Sequence, residues 1–169
     1  EGVANGRSNE YSHFTLRKSP GFFDIQIWDG DGQGSRQISH NLGSVPGCII
    51  IKQRTNVIEN YVWHVYHKYM DASTPHNYGM RLNENNARSG FTVLSAAPTS
   101  SIFQLAADVS STGYSGLNNA NEKYVAYIFA DNEQIFGGSG DKEVIKCGSY
   151  TGDGNSTGPA INLGWEPQW

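Results

Sequence analysis

The sequence of 169 residues carries little charge and few residues that favour helices. Only 17% of its residues are Asp, Glu, Lys or Arg, and it contains two methionines, whereas a helical protein normally carries more Ala, Leu, Glu and Lys. The net charge is -4, without the concentration of Lys and Arg that nucleic-acid binders use to contact phosphates. We therefore predict a β protein and no nucleic-acid partner.

Cysteine is also scarce, and long apolar runs are absent. Cys48 and Cys147 are the only cysteines and no Cys-x-x-Cys spacing occurs, so the sequence indicates neither a zinc site nor a disulfide framework. We expect both to be small buried hydrophobic residues, with a single bridge between them left open. No apolar stretch reaches the ~20 residues that a membrane-spanning helix needs, so we expect no membrane span. No pattern indicates a cofactor.

Glycine and aromatic residues are abundant by comparison. Twenty glycines and nine tyrosines are typical of a β protein with many turns. Runs of β-branched and aromatic residues alternate with clusters of Gly, Pro, Asn and Ser, and they predict eight or more short strands at 22–28, 36–39, 48–51, 61–67, 78–82, 91–94, 102–106, 124–130 and 144–150. This pattern predicts an all-β fold, an antiparallel β-sandwich of the jelly-roll or lectin-like kind.

Two of these predictions are specific. Phe23, Ile25 and Ile27 alternate with polar residues, which predicts that the three apolar side chains face the core. Residues 36–39 and 48–51 flank a Gly- and Pro-containing turn, and we predict that they form a hairpin.

The run 61–67 contains two histidines. Aromatic and β-branched residues favour a strand here, as they do in 124–130, although a helix remains an alternative in both. On a strand, His64 and His67 point to opposite faces, Trp63 and Val65 share the face of His67, and a shared metal site is excluded.

A motif occurs twice in the sequence. Residues 27–46 and 149–167 contain, in the same order, an aromatic residue, Gly-Asp-Gly, an isoleucine, Leu-Gly and a proline. The copies lie about 120 residues apart, which is the size of a small domain and too long for a solenoid repeat. In the second copy the apolar strand that follows the proline is missing, so we expect the sequence to be part of a longer polypeptide. We predict three parts: an approach segment or linker over 1–13, a β-sandwich domain over 14–145, and the beginning of a second, truncated repeat over 146–169.

Several spaced motifs resemble one family. They are, in order, residues 14–18 (FTLRK), 20–24 (PGFFD), 38–46 (ISHNLGSVP), 49–52 (IIIK), 63–67 (WHVYH), 124–130 (YVAYIFA) and 146–152 (KCGSYTG). The sequence resembles the β-rich domain, often in tandem, of tail-fibre-like and other virion structural proteins from marine tailed bacteriophages. The resemblance implies a structural or adhesive component of the virion, located in the phage tail or tail fibre. It also implies contacts with other virion tail proteins and with further copies of the chain, expected as a homotrimer.

The Gly-Asp-Gly loop of the first copy has the alternating oxygen atoms of a calcium loop. No Glu closes the site at the twelfth position, where His40 stands, and Thr151 replaces Asp29 in the second copy. We therefore favour an Asx turn at Asp31 and Asp153 over a metal site, while calcium binding by Asp29 and Asp31 stays open. His40 is expected to hydrogen-bond to the backbone of its own turn.

No catalytic constellation is evident. The sequence lacks a Gly-x-Ser-x-Gly elbow, and no local pattern pairs Asp24, Asp131 and Glu133 across a groove as glycoside hydrolysis requires. We assign no catalytic residue and no metal ligand.

Two long loops, 71–77 and 108–121, are better candidates for sugar binding. Exposed aromatic rings can stack on sugars while amide side chains bind hydroxyl groups. The predicted ligand-binding residues are Tyr78, Tyr114, Asn118 and Asn119. The sequence thus predicts a tail-fibre module that presents loops to a host-surface glycan or other receptor. The alternatives are a polysaccharide depolymerase domain and a passive architectural spacer.

Overall fold

The computed structural model describes residue 10 and residues 13–55, 62–106, 116–131, 133 and 135–166. Within these residues the chain forms seven strands and one short 3-10 helix, and the predicted all-β fold is confirmed. The elements are β1 (Phe23–Asp29), β2 (Gln37–Ser39), β3 (Cys48–Gln53), β4 (Trp63–His67), η1 (Pro75–Asn77), β5 (Met80–Arg81), β6 (Ile102–Gln104) and β7 (Lys123–Phe129).

The strands form two antiparallel sheets. The larger sheet has five strands in the order β1-β7-β3-β4-β5, and the smaller sheet pairs β2 with β6. The core lies between them, and its buried side chains come from the larger sheet (Trp28, Ile49, Ile51, Tyr66, Tyr124, Ala126, Ile128), the smaller sheet (Ile38, Phe103) and the connections (Leu42, Val93, Leu94, Leu105, Leu117, Ala130). Two antiparallel sheets over one core give the predicted sandwich-like arrangement.

The strand β7 shows how the sequence produces this packing. Tyr124, Ala126 and Ile128 alternate along it and are buried in the core, whereas the residues between them are half-buried on the opposite face. This period of two is what a strand requires, and β7 lies between β1 and β3 in the middle of the larger sheet. The strands predicted over 61–67 and 124–130 are therefore confirmed for the described residues.

The face predicted for β1 is wrong. Trp28 lies in the core and is 7% exposed, whereas Ile27 is 66% exposed and points away from the core. The indole of Trp28 is nearly parallel to the ring of Tyr124, with centroids 5.4 Å apart, and its edge meets Phe103. The larger aromatic side chain therefore takes the core side, and the isoleucines take the other side.

A buried carboxylate makes this inversion possible. Asp24 is 3% exposed, and its oxygens accept hydrogen bonds from the backbone N–H groups of Ile25 and Asn41, both at 2.8 Å, and from Gln26 at 2.7 Å. The ammonium of Lys18 lies 3.0 Å from the same carboxylate. A buried charge is tolerated when it is paired and hydrogen-bonded in this way.

The predicted hairpin is also wrong, although its two strands exist. β2 pairs with β6 in the smaller sheet, while β3 pairs with β4 and β7 in the larger one. The connection between β2 and β3 therefore crosses from one sheet to the other. Leu42 lies in this connection and is fully buried between the sheets.

The remaining strand predictions are met in part. Residues 78–82 and 102–106 contain β5 and β6, but 91–94 contains only a single bridge, from Leu94 to Leu105. Residues 144–150 contain no strand, and Val144 and Tyr150 are exposed there. The described part of the chain thus has fewer strands than predicted.

Candidate functional site: an aromatic platform on the sheet

The five-stranded sheet has a second face, here called the outer face, that points away from the core. Its members follow from the strand register: Phe23, Ile25, Ile27, Val125, Tyr127, Phe129, Cys48, Ile50, Lys52, Trp63, Val65, His67 and Met80. Most of these side chains are half-buried, and nearly all are apolar or aromatic. An antiparallel sheet with one face in the core normally has polar residues on the other, so the outer face is a candidate binding surface.

Two aromatic rings and one cation stand out on the outer face. The rings of Trp63 and Tyr127 are tilted by only 21° with centroids 6.4 Å apart, and the ammonium of Lys52 lies 5.7 Å from the centre of a Trp63 ring. Burial lowers the pKa of Lys52, since desolvation disfavours the charged form. We call Lys52, Trp63 and Tyr127 the aromatic platform.

The strand register explains why these three side chains meet. Lys52 of β3 is directly opposite Trp63 of β4, and Tyr127 of β7 is opposite Ile50 of β3. The two rings therefore approach each other across β3. Neighbouring rings that are nearly parallel can stack against the C–H face of a sugar, and a cation beside them attracts acidic groups.

Sequence reasoning missed the platform because it looked for ligand-binding residues only on loops. The signal is nevertheless present in the alternation of β4 and β7. His64 and Tyr66 are buried, as are Ala126 and Ile128, so Trp63 and Tyr127 had to lie on the opposite face. The predicted division of β4 between its two faces is confirmed.

The Gly-Asp-Gly loop is fixed by internal contacts. The N–H of Gln33 donates to Asp31 Oδ1 at 2.9 Å, which is the predicted Asx turn. The side-chain amide of Asn118 donates to Asp31 Oδ1 at 2.5 Å and to the carbonyl of Gln33 at 2.9 Å, and its Oδ1 accepts from Arg36 at 3.1 Å. We call Asn118 with these contacts the asparagine clamp. The hydrogen bond from Gln33 and that from Asn118 hold the pKa of Asp31 below its usual value.

The residues predicted to bind ligand lie in different places. Asn118 is 7% exposed and committed to the clamp, while the neighbouring Asn119 is half-buried and its N–H donates to the hydroxyl of Tyr124 at 3.0 Å. Tyr78 belongs to another cluster, in which the guanidinium of Arg88 lies 3.9 Å above the tyrosine ring. Tyr114 lies outside the described residues. Ligand binding by these residues stays a prediction, and the asparagines have a structural role in the loop.

The whole chain, residues 1–169, matches the family described as a domain of unknown function (DUF7483). The chain belongs to this family. No curated protein and no solved structure matches it.

The best-buried carboxylate after Asp24 is Asp131, which is 5% exposed at the end of β7. It accepts hydrogen bonds from Lys68 at 2.9 Å, from the hydroxyl of Tyr69 at 3.1 Å and from the N–H of Cys147 at 2.8 Å. Burial raises the pKa of Asp131, but the hydrogen bonds from Lys68 and Cys147 outweigh it, and the pKa is lowered. Asp24 behaves in the same way, since the bonds from Asn41 and its other partners outweigh burial. Both carboxylates are ionised at neutral pH, which does not suit a general acid.

The thiols and His40 are likewise in structural positions. Burial raises the pKa of Cys48 to about 12 and that of Cys147 to about 11, so neither is a thiolate at neutral pH. His40 is buried, with Nε2 3.2 Å from the carbonyl of Thr99, and its Nδ1 accepts from the N–H of Leu42. The prediction that His40 is bonded to backbone groups is confirmed.

The acidic residues of the first Gly-Asp-Gly loop are paired with cations of the chain itself. Asp29 lies 3.0 Å from the ammonium of Lys123, and Asp31 lies 3.4 Å from Arg36. Among the described residues, no three His, Cys, Asp or Glu side chains come together as metal ligands would. In the same part of the chain, no helix has the length and apolar character needed to cross a bilayer.

Proposed function

We propose that this chain is a non-enzymatic module of a bacteriophage tail fibre that attaches to a glycan of the host surface through the aromatic platform. The observation that carries the proposal is the pair of nearly parallel rings, Trp63 and Tyr127, on a sheet face whose other residues are mostly apolar. The ordered motifs in the sequence support the fibre context. Assembly with further copies of the chain, as a homotrimer, and contacts with other virion tail proteins are part of the same proposal.

The platform suits a sugar for physical reasons. Aromatic rings provide a rigid apolar surface that pairs with the C–H groups of a pyranose, and little side-chain entropy is lost on binding. The charge of Lys52 beside Trp63 favours a glycan that carries carboxylates or sulfates. A single platform binds weakly, so several copies on one fibre would supply the affinity.

Non-enzymatic attachment is supported by the buried carboxylates. The oxygens of Asp24 and Asp131 are already bonded to backbone and side-chain donors, and the pKa of each is lowered. A polysaccharide depolymerase needs a carboxyl group that holds a proton near neutral pH.

The test is a glycan-binding screen on the chain fused to a trimerising coiled coil. We expect the wild-type fusion to retain at least one acidic glycan, and the variants Trp63→Ala and Tyr127→Ala to lose at least about tenfold in affinity. Tyr150→Ala is the matched control, because Tyr150 is an exposed aromatic residue outside the platform. Its binding should be unchanged, and thermal unfolding should show that all variants are folded.

Three results would contradict the proposal. Retention of no glycan by the wild-type fusion would favour a spacer. Equal binding by the platform variants and the wild type would move the site elsewhere, for instance to the loops near Tyr78. Release of sugar fragments from a retained polysaccharide would show an enzyme.

A further inference from the structure

The two copies of the repeated motif share the same turn around Gly-Asp-Gly. In each, an aspartate accepts a hydrogen bond from the N–H two residues later at 2.9 Å, from Gln33 to Asp31 and from Asn155 to Asp153. Two pairs of matching glycines have a positive φ: Gly32 and Gly154 at 73° and 74°, and Gly43 and Gly164 at 73° and 85°. Glycine adopts left-handed backbone readily, and in both copies it does so directly after the aspartate and directly after the leucine.

The copies differ sharply in burial. In the first copy the aromatic residue, the isoleucine and the leucine are core members: Trp28 is 7% exposed, Ile38 7% and Leu42 0%. In the second copy Tyr150 is 69% exposed and Ile161 is 52% exposed, while Leu163 is half-buried. The second copy therefore shares the Gly-Asp-Gly turn of the first, but its described residues form no strand and lack the surface that covers the first copy.

The first copy shows which surface is needed. Trp28 packs on Tyr124 of β7 and Phe103 of β6, and Asn118 clamps the Gly-Asp-Gly loop. Gly30 lies so close to this surface that a Cβ added there would be 1.9 Å from the carbonyl oxygen of Asn119. Gly152 holds the matching position in the second copy, and a Cβ there would meet nothing within 4 Å.

We propose that residues 149–166 are the first strand and loop of a second unit of this same fold. The partner of this segment is that unit's equivalent of β6, β7 and the asparagine clamp, and it buries Tyr150 and Ile161 as the first unit buries Trp28 and Ile38. The segment is attached to the first unit at Cys147, whose N–H donates to Asp131 at 2.8 Å. The two units are thus joined directly. This inference does not depend on glycan binding.

The experiment completes the second unit from the chain's own sequence. In the fusion, residues 1–167 are followed by residues 47–166, so that Pro167 takes the place of Pro46. We expect the appended residues to fold, with amide protons that exchange as slowly as those of the first unit. We also expect the fusion to sediment as one molecule with two folded units.

The glycine of the second loop provides the decisive variant. Gly152→Ala should leave the melting temperature of the 169-residue chain unchanged, because the added Cβ meets open space. In the fusion the same change should lower the melting temperature of the second unit by about 10 °C, because the Cβ would meet the backbone carbonyl of that unit's equivalent of Asn119. Gly148→Ala is the matched control, since Gly148 takes the place of Gln26 of β1, where a side chain is accommodated.

Each contrary outcome is distinct. Appended residues that exchange their amide protons like an unfolded chain would overturn the proposal. So would a second unit whose melting temperature is unaffected by Gly152→Ala. Formation of dimers by the 169-residue chain, with Tyr150 buried between two copies, would show that the segment binds another chain.

Discussion

Replacing Gly30 by alanine should destabilise the domain strongly, although the change adds only one methyl group. The new Cβ would lie 1.9 Å from the carbonyl oxygen of Asn119 and 2.8 Å from its carbonyl carbon, whereas ordinary contacts begin at 3.4 Å. Both neighbours are backbone atoms, so no side chain can rotate away. The two segments must separate by about 1.5 Å.

The cost follows from what that separation disrupts. The N–H of Gly30 donates to the carbonyl of Glu122 at 2.7 Å, and the N–H of Asn121 donates to the carbonyl of Gly30 at 3.2 Å. Overpacking costs about 1–3 kcal/mol, and each weakened hydrogen bond about 1 kcal/mol. We expect the free energy of unfolding to fall by about 3–5 kcal/mol, which lowers the melting temperature by about 10 °C for a chain of this size.

Urea unfolding followed by tryptophan fluorescence measures this change. Gly152→Ala is the matched control because it makes the same substitution in the second copy of the motif, where the added methyl meets nothing within 4 Å. It should change the free energy of unfolding by less than about 0.5 kcal/mol. The reasoning is refuted if both variants are equally stable, or if Gly30→Ala lies within about 1 kcal/mol of the wild type.

Three further predictions concern other contacts. Asn118→Ala should lower the free energy of unfolding by about 2–3 kcal/mol in the same urea assay, because three hydrogen bonds of the clamp are lost; a change below about 0.5 kcal/mol would show that water replaces them. Trp28→Ala should cost about 3–5 kcal/mol through the cavity it leaves, whereas Ile27→Ser on the exposed side should cost less than about 1 kcal/mol, and the reverse order would restore the face first predicted for β1. The lowered pKa of Asp131 contributes stability above about pH 4 that is lost as the pH falls through its folded-state pKa. Asp131→Asn should therefore be less stable at neutral pH and should lose less stability on acidification. This is contradicted if the free energy of unfolding of the variant changes with pH, between about pH 2 and pH 7, as steeply as that of the wild type.

The strands themselves could be predicted because their pattern is local. β7 alternates core and outer residues along its whole length. Its β-branched and aromatic side chains favour a strand over a helix. Such features depend only on residues that are close together in the sequence, so the sequence alone predicts them.

The face of β1 could not be predicted for the opposite reason. Asp24 is buried because Asn41, 17 residues later, supplies a backbone N–H and Lys18 supplies a charge. Nothing in the alternation of β1 reveals those partners. The pairing of β2 with β6 is similar, since Ile38 and Phe103 are directly opposite although β3, β4 and β5 of the other sheet separate them in the sequence.

The aromatic platform lies between these cases. Alternation alone places Trp63 and Tyr127 away from the core. Their contact, however, depends on the order of β7, β3 and β4 in the sheet, which brings strands far apart in sequence to either side of Ile50. The faces of Trp63 and Tyr127 could therefore be predicted from the sequence, whereas their neighbours on the outer face could not.

The register of β1 with β7 has a mechanical consequence. Phe23 is opposite Phe129, so the start of β1 and the end of β7 lie side by side at one end of the sheet. Tension applied between the segments before β1 and after β7 would open the strand pair one residue pair at a time, which needs less force than sliding all pairs past one another together. The bonds from Lys68 and Cys147 to Asp131 lie next to this end and would resist the pull first. A string of such domains would therefore lengthen in steps under load, each step beginning when the contacts of one carboxylate give way.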